Sequence, residues 1–403
     1  MLDLKSIKKA QERLKGVIHH TPFSYAPILS EMSGYEVYLK KENLQRTGAF
    51  KLRGAFNKIA TLVEAGQKGG VVAASAGNHA QGVAFSAKHF GIDATIVMPE
   101  STPLNKIQGV KEFGASVILH GANYDEAYAY AVEYTQEHQL EFVHPFTDHE
   151  VMSGQGTVAL EMLEAQANLD AIVVPVGGGG LIAGMGVAIN ALHPSTQVIG
   201  VASEGAPAMK ESYESKIAHG TSSVRTIADG IAVRDASPIT LKYILKEVDK
   251  LELVCEDEIA AAILFLLEKQ KLLVEGAGAV GVAALLQNKL ELKKGAKIGI
   301  VLSGGNIDVT MLALIIEKGL VKSSRKMKLS VVMIDKPGSL MIFTELLKEV
   351  GANIVHIGYD RTSVELEFGD AVVSVSLETK GTEHQNEVRS ILNKNGFKFE
   401  ELH

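Results

Sequence analysis

Between residue 70 and about residue 320, short apolar runs alternate with amphipathic stretches. The runs are 70–75, 94–99, 116–120, 171–176, 197–202 and 297–302. Each is short, β-branched and bounded by Gly or Pro, which is how a strand buried on both faces of a parallel sheet reads. Helical stretches lie between them, one opening at Thr102-Pro103 with a cap residue followed by Pro in the first turn. This rhythm predicts an α/β protein with parallel sheets and helices on both faces. At 403 residues the chain has room for two to four domains of about 100–200 residues each.

The rhythm changes near residues 321–327, where the composition turns basic and polar. That stretch reads as a linker. Beyond it the pattern predicts a strand over 329–334, a turn at Lys336-Pro337-Gly338 and a helix over 339–350. Strands over 353–359 and 371–377, a helix over 383–395 and a strand over 397–402 follow. The order βαββαβ is the ferredoxin-like arrangement.

Composition excludes several classes. With 46% apolar and 22% charged residues the chain reads as an ordinary globular protein, and a net charge of −7 argues against a nucleic-acid binder. No apolar stretch reaches about 18 residues, so no membrane span is expected. The polar start, Met1 to Lys9, predicts no signal peptide. A single cysteine, Cys255, rules out an internal disulfide framework and points to a reducing, cytoplasmic setting. Cys255 itself reads as a small buried hydrophobe.

Three loops carry chemistry-bearing residues. Lys51 lies in Thr47-Gly48-Ala49-Phe50-Lys51-Leu52-Arg53-Gly54-Ala55. Lysine condenses with carbonyl groups, and burial tunes its basicity. The run at 70–75 leads into Ser75-Ala76-Gly77-Asn78-His79-Ala80-Gln81-Gly82 and then a helix, the place where ligands bind in open α/β sheets. Asn78 can donate to a ring oxygen, and Ser75 with the loop N–H groups can bind a carboxylate. Asn78 also reads as a simple N-cap, and His79 as a packed or capping histidine. The run at 171–176 leads into Gly177-Gly178-Gly179-Gly180-Leu181. Free N–H groups, the helix dipole and the lack of Cβ atoms suit a phosphate there. No Gly-Lys-Ser/Thr follows, so this is not a Walker loop. Gly178, Gly180 and Ala183, with Glu204 after the next strand, also fit a dinucleotide fingerprint. Taken together, an amine, a polar loop and a phosphate cradle are the parts that hold pyridoxal phosphate and decide against the dinucleotide. Two further segments open on strand or helix ends: Ser303-Gly304-Gly305-Asn306, where the serine could meet a pyridine nitrogen or make an ordinary turn, and Glu275-Gly276-Ala277-Gly278-Ala279, where the glutamate also reads as a first-turn acid.

With these five motifs in this order, residues 5–320 resemble the fold-type II pyridoxal-phosphate enzymes, specifically the short, catabolic-like threonine/serine dehydratases (threonine ammonia-lyases). Residues 328–403 resemble an ACT domain, on Asp335-Lys336-Pro337-Gly338 and the βαββαβ order. The resemblance implies a large cofactor domain over 1–50 and 156–320, a small domain over 51–155, a linker over 321–327 and a regulatory domain over 328–403. It implies that Lys51 bonds covalently to pyridoxal phosphate, Phe50 packs beside it and Asn78 meets the ring hydroxyl. Gly177, Gly178, Gly179, Gly180 and Leu181 then hold the phosphate, Ser303 meets the ring nitrogen and Glu275 lines the pocket. The loop Ser75, Ala76, Gly77, Asn78 and His79 receives the substrate carboxylate. The implied reaction is β-elimination of L-threonine to 2-oxobutanoate and ammonia, and of L-serine to pyruvate. An amino-acid effector at the C-terminal domain and a homodimeric or homotetrameric assembly are implied as well. Ala49 and Ala76 stand where relatives carry serine; at 76 the serine racemases use it as a second acid/base, so racemisation is expected to be weak. Some relatives bind a divalent cation through a glutamate and an acid six residues on; here Glu204 is followed at that distance by Lys210, so that divalent metal site is not expected.

Overall fold

The computed structural model describes residues 1–67, 69–362 and 366–402, and it divides into two compact units, Met1–Asp308 and Val309–His403.

The first unit holds two sheets. The larger has the order Phe23–Tyr25, Glu36–Lys40, Lys297–Val301, Ala171–Pro175, Gln197–Ser203 and Lys250–Val254. Only the first pair is antiparallel. Its central register sets Ile300 between Leu39 and Val173, a continuous buried row. The helix Gly276–Leu286 is built of Gly, Ala, Val and Leu alone and is buried along ten of its eleven residues, as an all-apolar helix must be. The smaller sheet is wholly parallel, in the order Ser116–Leu119, Ala94–Met98, Val71–Ala74 and Glu141–Phe142. Helices Lys51–Glu64 and Asn78–Phe90 share the core on one face through Ala55, Ile59, Ala80, Val83 and Ile96. Tyr124–Glu137 covers the other through Ala127 and Ala131.

In the large sheet, Lys297–Val301 and Ala171–Pro175 are parallel neighbours although far apart in sequence. Their C-terminal ends therefore lie side by side at one edge of the sheet, where ligands bind in open α/β folds. The loops at 177–180 and 303–306 leave these two strands.

The second unit carries an antiparallel sheet in the order Asn353–Asp360, Asp370–Glu378, Lys326–Ile334 and Lys398–Glu401. With helices Ser339–Glu349 and Thr382–Lys394 this is the βαββαβ arrangement. The two central strands alternate buried and half-exposed residues, and their buried sides pack on Phe343, Leu347, Val388 and Leu392.

Three local expectations need correction. The run at 116–120 is a strand but an edge one, with its ends exposed. Pro103 is itself the cap residue, with an extended ψ of 143°, and the helix starts at Leu104; Thr102 instead closes a turn on Pro99. The stretch 321–327 is mostly regular structure: helix Val309–Lys322 runs into it and the strand begins at Lys326. Its basic residues are a helix end and the open face of an alternating strand, with Lys326 paired to Glu317 at 2.5 Å.

Candidate active site

Lys51 is the first residue of helix Lys51–Glu64, after Phe50 at the cap. The loop before it is fixed to the Ser303–Asn306 loop. Phe50 N–H donates to Ser303 O at 3.0 Å, Gly305 N–H to Gly48 O at 2.8 Å and the Asn306 amide to Thr47 O at 2.8 Å. Gly48 takes φ +72° in this turn. The Lys51 amine lies 5.5 Å from the centre of the Phe50 ring and donates to Pro145 O at 3.0 Å. Burial lowers its pKa from 10.5 to about 8, against the opposing pull of Glu275. A neutral, nucleophilic amine is therefore abundant near pH 8.

The glycine run forms the second wall. Gly179 takes φ +83° and caps helix Gly180–Leu192. A Cβ on Gly178 would stand 2.4 Å from the Phe146 ring, and one on Gly180 2.7 Å from Phe146 O. Among the described residues, the N–H groups of 177–182 have no acceptor in the chain; the first that does is Ala183, to Gly179 O at 3.0 Å. Gly178, Gly179 and Gly180 are buried. Leaving one buried N–H unpaired costs about 1–3 kcal/mol. A row of them at a helix N-terminus calls for an anion with several acceptor oxygens.

A polar cluster joins the remaining loops. The Asn78 amide donates to Glu275 Oε1 at 2.7 Å and accepts from the Asn306 amide at 2.6 Å. Asn78 is thus no N-cap: Gly77 holds that place. Burial lifts the Glu275 carboxyl to about 7, against the hydrogen bonds from Asn78 and the Asn306 backbone. Glu275 caps helix Gly276–Leu286. Ser303 is 2% exposed, and Thr47 Oγ1 beside this cluster is buried without a partner. Ser75 Oγ accepts from Gly77 N–H at 3.2 Å. The N–H groups of Asn78, His79 and Ala80 open their helix with no acceptor among the described residues.

The His79 ring is packed in the core. It is buried and donates through Nε2 to Val143 O at 2.7 Å. Burial, then the nearby Lys51 charge, lowers its pKa to about 3. The ring is a neutral core group, so only the His79 backbone N–H is left to meet a carboxylate.

Sequence reading missed the third wall, His144-Pro145-Phe146. It follows the two-residue strand Glu141–Phe142, whose pairing with Val71–Ala74 carries it to the C-terminal edge of the sheet. Pro145 accepts from Lys51, and Phe146 covers the glycine run. His144 Nδ1 accepts from the N–H groups of Phe146 and Thr147, and burial lowers its pKa to about 4. No motif marks the segment; the only signal was its Pro after an apolar pair.

The donor set fits pyridoxal phosphate: a buried amine of lowered basicity, unpaired buried N–H groups in a cradle that Cβ atoms would fill, and a buried hydroxyl at Ser303. Lys210, by contrast, gives its ammonium to Leu251 O at 2.8 Å and Glu214 at 2.9 Å. Uptake of pyridoxal phosphate by the apoprotein is expected to quicken with pH and level off above about 8, not 10.5. Stopped-flow absorbance checks this; a rate still climbing beyond 10 would contradict the buried setting of Lys51.

Comparison with known proteins agrees with the geometry. The chain is 49% identical to the L-threonine ammonia-lyase of Thermotoga maritima, over 98% of each chain. The structure is similar to maize serine racemase (TM-score 0.74, 35% identity, 80% of this chain and 98% of that one). It is equally similar to the processed form of threonine deaminase isoform 2 from Solanum lycopersicum (TM-score 0.74, 36% identity, 78% and 86%). The model of the family "Pyridoxal-phosphate dependent enzyme" matches residues 14–304, a span that holds Lys51, the loop at 75–82, Glu275 and the whole glycine cradle, and the chain belongs to that family.

Proposed function

We propose that this chain is an L-threonine ammonia-lyase, converting L-threonine to 2-oxobutanoate and ammonia and, as a second substrate, L-serine to pyruvate and ammonia. One observation carries the reading: the Lys51 amine, near pKa 8, and the acceptor-free glycine cradle both lie against Pro145-Phe146, the amine on Pro145 O and the cradle on Phe146. The name of the 49% identical relative supports the substrate.

Pyridoxal phosphate, when bound, supplies an electron sink for the substrate's α-carbon. Gly177 to Gly180 and Leu181 would hold its phosphate through N–H groups, Phe50 would pack against it, and Asn78 and Ser303 would serve the ring hydroxyl and the ring nitrogen. Glu275 holds Asn78 in place. The N–H groups at 78–80, with the Ser75-Ala76-Gly77 turn before them, would receive the substrate carboxylate. Lys51 would take the α-proton, and its lowered basicity keeps the neutral base available. A neutral Ser303 hydroxyl does not force a proton onto the ring nitrogen, which favours prompt loss of the β-hydroxyl. Water is lost as the elimination proceeds and regained as the imine product hydrolyses. Ala76 offers no acid on the opposite face, so racemisation stays minor. Keto-acid analysis with L-threonine and L-serine tests the reading; a purified, cofactor-loaded protein that forms neither keto acid refutes it.

The second unit is read as an ACT-type sensor of an amino acid. A cavity of about 300 Å³ there is lined by Lys336, Ser339, Ile342, Asp370, Asn395 and Phe397. Lys336 and Asp370 suit a carboxylate and an ammonium, and the apolar members suit a side chain. The coupling is expected to be about 1–3 kcal/mol. Removing residues 309–403 should leave keto-acid formation in place and abolish any response to amino-acid effectors; loss of all activity would make the unit structural instead. The assembly is read as a homodimer or homotetramer. A cytoplasmic location is the reading that the lone cysteine and the bacterial relative support, and no described helix is long and apolar enough to cross a membrane.

A further inference from the structure

We infer that the glycines of helix His149–Ala165 and its two neighbours form a spacer that sets the distance between Lys51 and the phosphate cradle. The inference rests on the reading of Lys51 and residues 177–181 given above.

Helix His149–Ala165 packs against Lys51–Glu64 on one side and Gly180–Leu192 on the other. Each contact brings backbone within reach of backbone, and the Gln155 amide would also stand 2.3 Å from a Cβ on Gly54. A Cβ on Gly154 would stand 2.4 Å from Arg53 O and 2.6 Å from Gly54 Cα. One on Gly54 would stand 2.6 Å from Val151 O. On the other side, a Cβ on Gly184 would stand 2.2 Å from Met152 O and 2.8 Å from Gly156 N, and one on Gly156 2.8 Å from Gly184 O. Gly154 and Gly156 are two residues apart, and two residues turn a helix by about 200°. The two contacts therefore use opposite sides of the middle helix, which stands between the outer two as a rod one backbone thick.

The functional groups lie one turn from these contacts. Lys51 precedes Gly54 by three residues, and Gly180, the last glycine of the cradle, precedes Gly184 by four. Both outer helices begin at the site. A rigid ligand that must bond Lys51 at one end and the cradle at the other feels any change in the spacing. Ordinary Cβ contacts begin at 3.4 Å, so one methyl at 2.2–2.4 Å moves a helix by about 1 Å, and a misplacement of that size costs about 10²-fold in a two-point fit. Each half of the site, on its own element, is left intact.

The test uses the full-length protein freed of cofactor, with pyridoxal phosphate, pyridoxal and inorganic phosphate as probes. Affinities come from equilibrium dialysis, and attachment at Lys51 from mass spectrometry after borohydride. In Gly184→Ala and Gly154→Ala, the preference for pyridoxal phosphate over pyridoxal should fall by about 100-fold, with the affinities for pyridoxal and for inorganic phosphate unchanged. Gly186→Ala is the control. Its Cβ would crowd Glu247 Cβ at 2.9 Å, away from the middle helix, and the preference should hold. An unchanged preference in both spacer variants, or an equal fall in the control, overturns the inference. If neither spacer variant folds, the wild-type protein decides. A homologue of pyridoxal phosphate with one more methylene before the phosphate should bind about 100-fold more weakly, and equal binding overturns the spacer. Pyridoxal that leaves no mass increment on wild-type Lys51 refutes the site assignment instead.

Discussion

Lys51→Ala is expected to lose colour, covalent cofactor and turnover together, with keto-acid formation down by at least about 10⁴-fold, since nucleophile and base are removed at once. Two other lysines are already engaged: the fully buried Lys40 is held by Glu161 at 2.5 Å and by Thr21 O at 2.7 Å, and Lys106 by Asp229 at 3.3 Å. The cradle and polar cluster do not depend on the Lys51 side chain, so the variant should still bind pyridoxal phosphate without a bond. Borohydride should then add no mass. A small neutral amine in the buffer should restore part of the turnover, because the space beside Pro145 O and the Phe50 ring remains. A variant that keeps visible absorbance, mass increment and turnover refutes the assignment.

The sequence made legible those parts of the fold in which burial is uniform. All six apolar runs are strands; five are covered along most of their length, as a strand apolar throughout has to be, and the run at 116–120 is the exposed edge strand. Strands that escaped notice carry charge or are very short. Glu36–Lys40 begins with Glu and ends with Lys40, whose ammonium is buried in an ion cluster, and Glu141–Phe142 has two residues. The site follows the same division. Loops at the C-terminal ends of apolar strands could be placed from the sequence, since glycines and polar residues there have few other uses. What a residue presents to the site could not. At Asn78 the type reads as an N-cap, yet Gly77 holds that place and the Asn78 amide joins Glu275 and Asn306. His144 to Phe146 reach the site through sheet pairing alone, which no local pattern records.

Arg53→Met should cost about 3–5 kcal/mol, the usual penalty for stranding a buried charge. Arg53 is fully buried two residues after Lys51. Its guanidinium binds Glu42 at 2.8 and 2.9 Å, Glu161 at 2.6 and 2.9 Å and Thr157 at 3.1 Å. Lys40 completes the group at Glu161, and Thr21 donates to Glu42. Two cations and two anions cancel; without Arg53 one negative charge is left in the core. Arg53 holds the Glu42 carboxyl below its usual range, against desolvation. A lowered folded-state pKa gives stability that is present above the unfolded value of 4.5 and is lost as pH falls through the folded one. Losing Arg53 reverses that sign, so the variant's deficit should be greatest near neutral pH and shrink towards pH 5, as one carboxyl takes up a proton. Adding Glu42→Gln should recover much of the loss, because Lys40 and Glu161 then form a neutral pair. Denaturant midpoints near pH 7 and pH 5 check both variants, and an Arg53→Met protein within about 1 kcal/mol of wild type at neutral pH would show that the cluster does not hold the fold. The consequence reaches the site, because Arg53 ties the first turn of the Lys51 helix to Glu161 on the helix that carries Gly154 and Gly156. The variant should therefore lose cofactor affinity before it loses its fold.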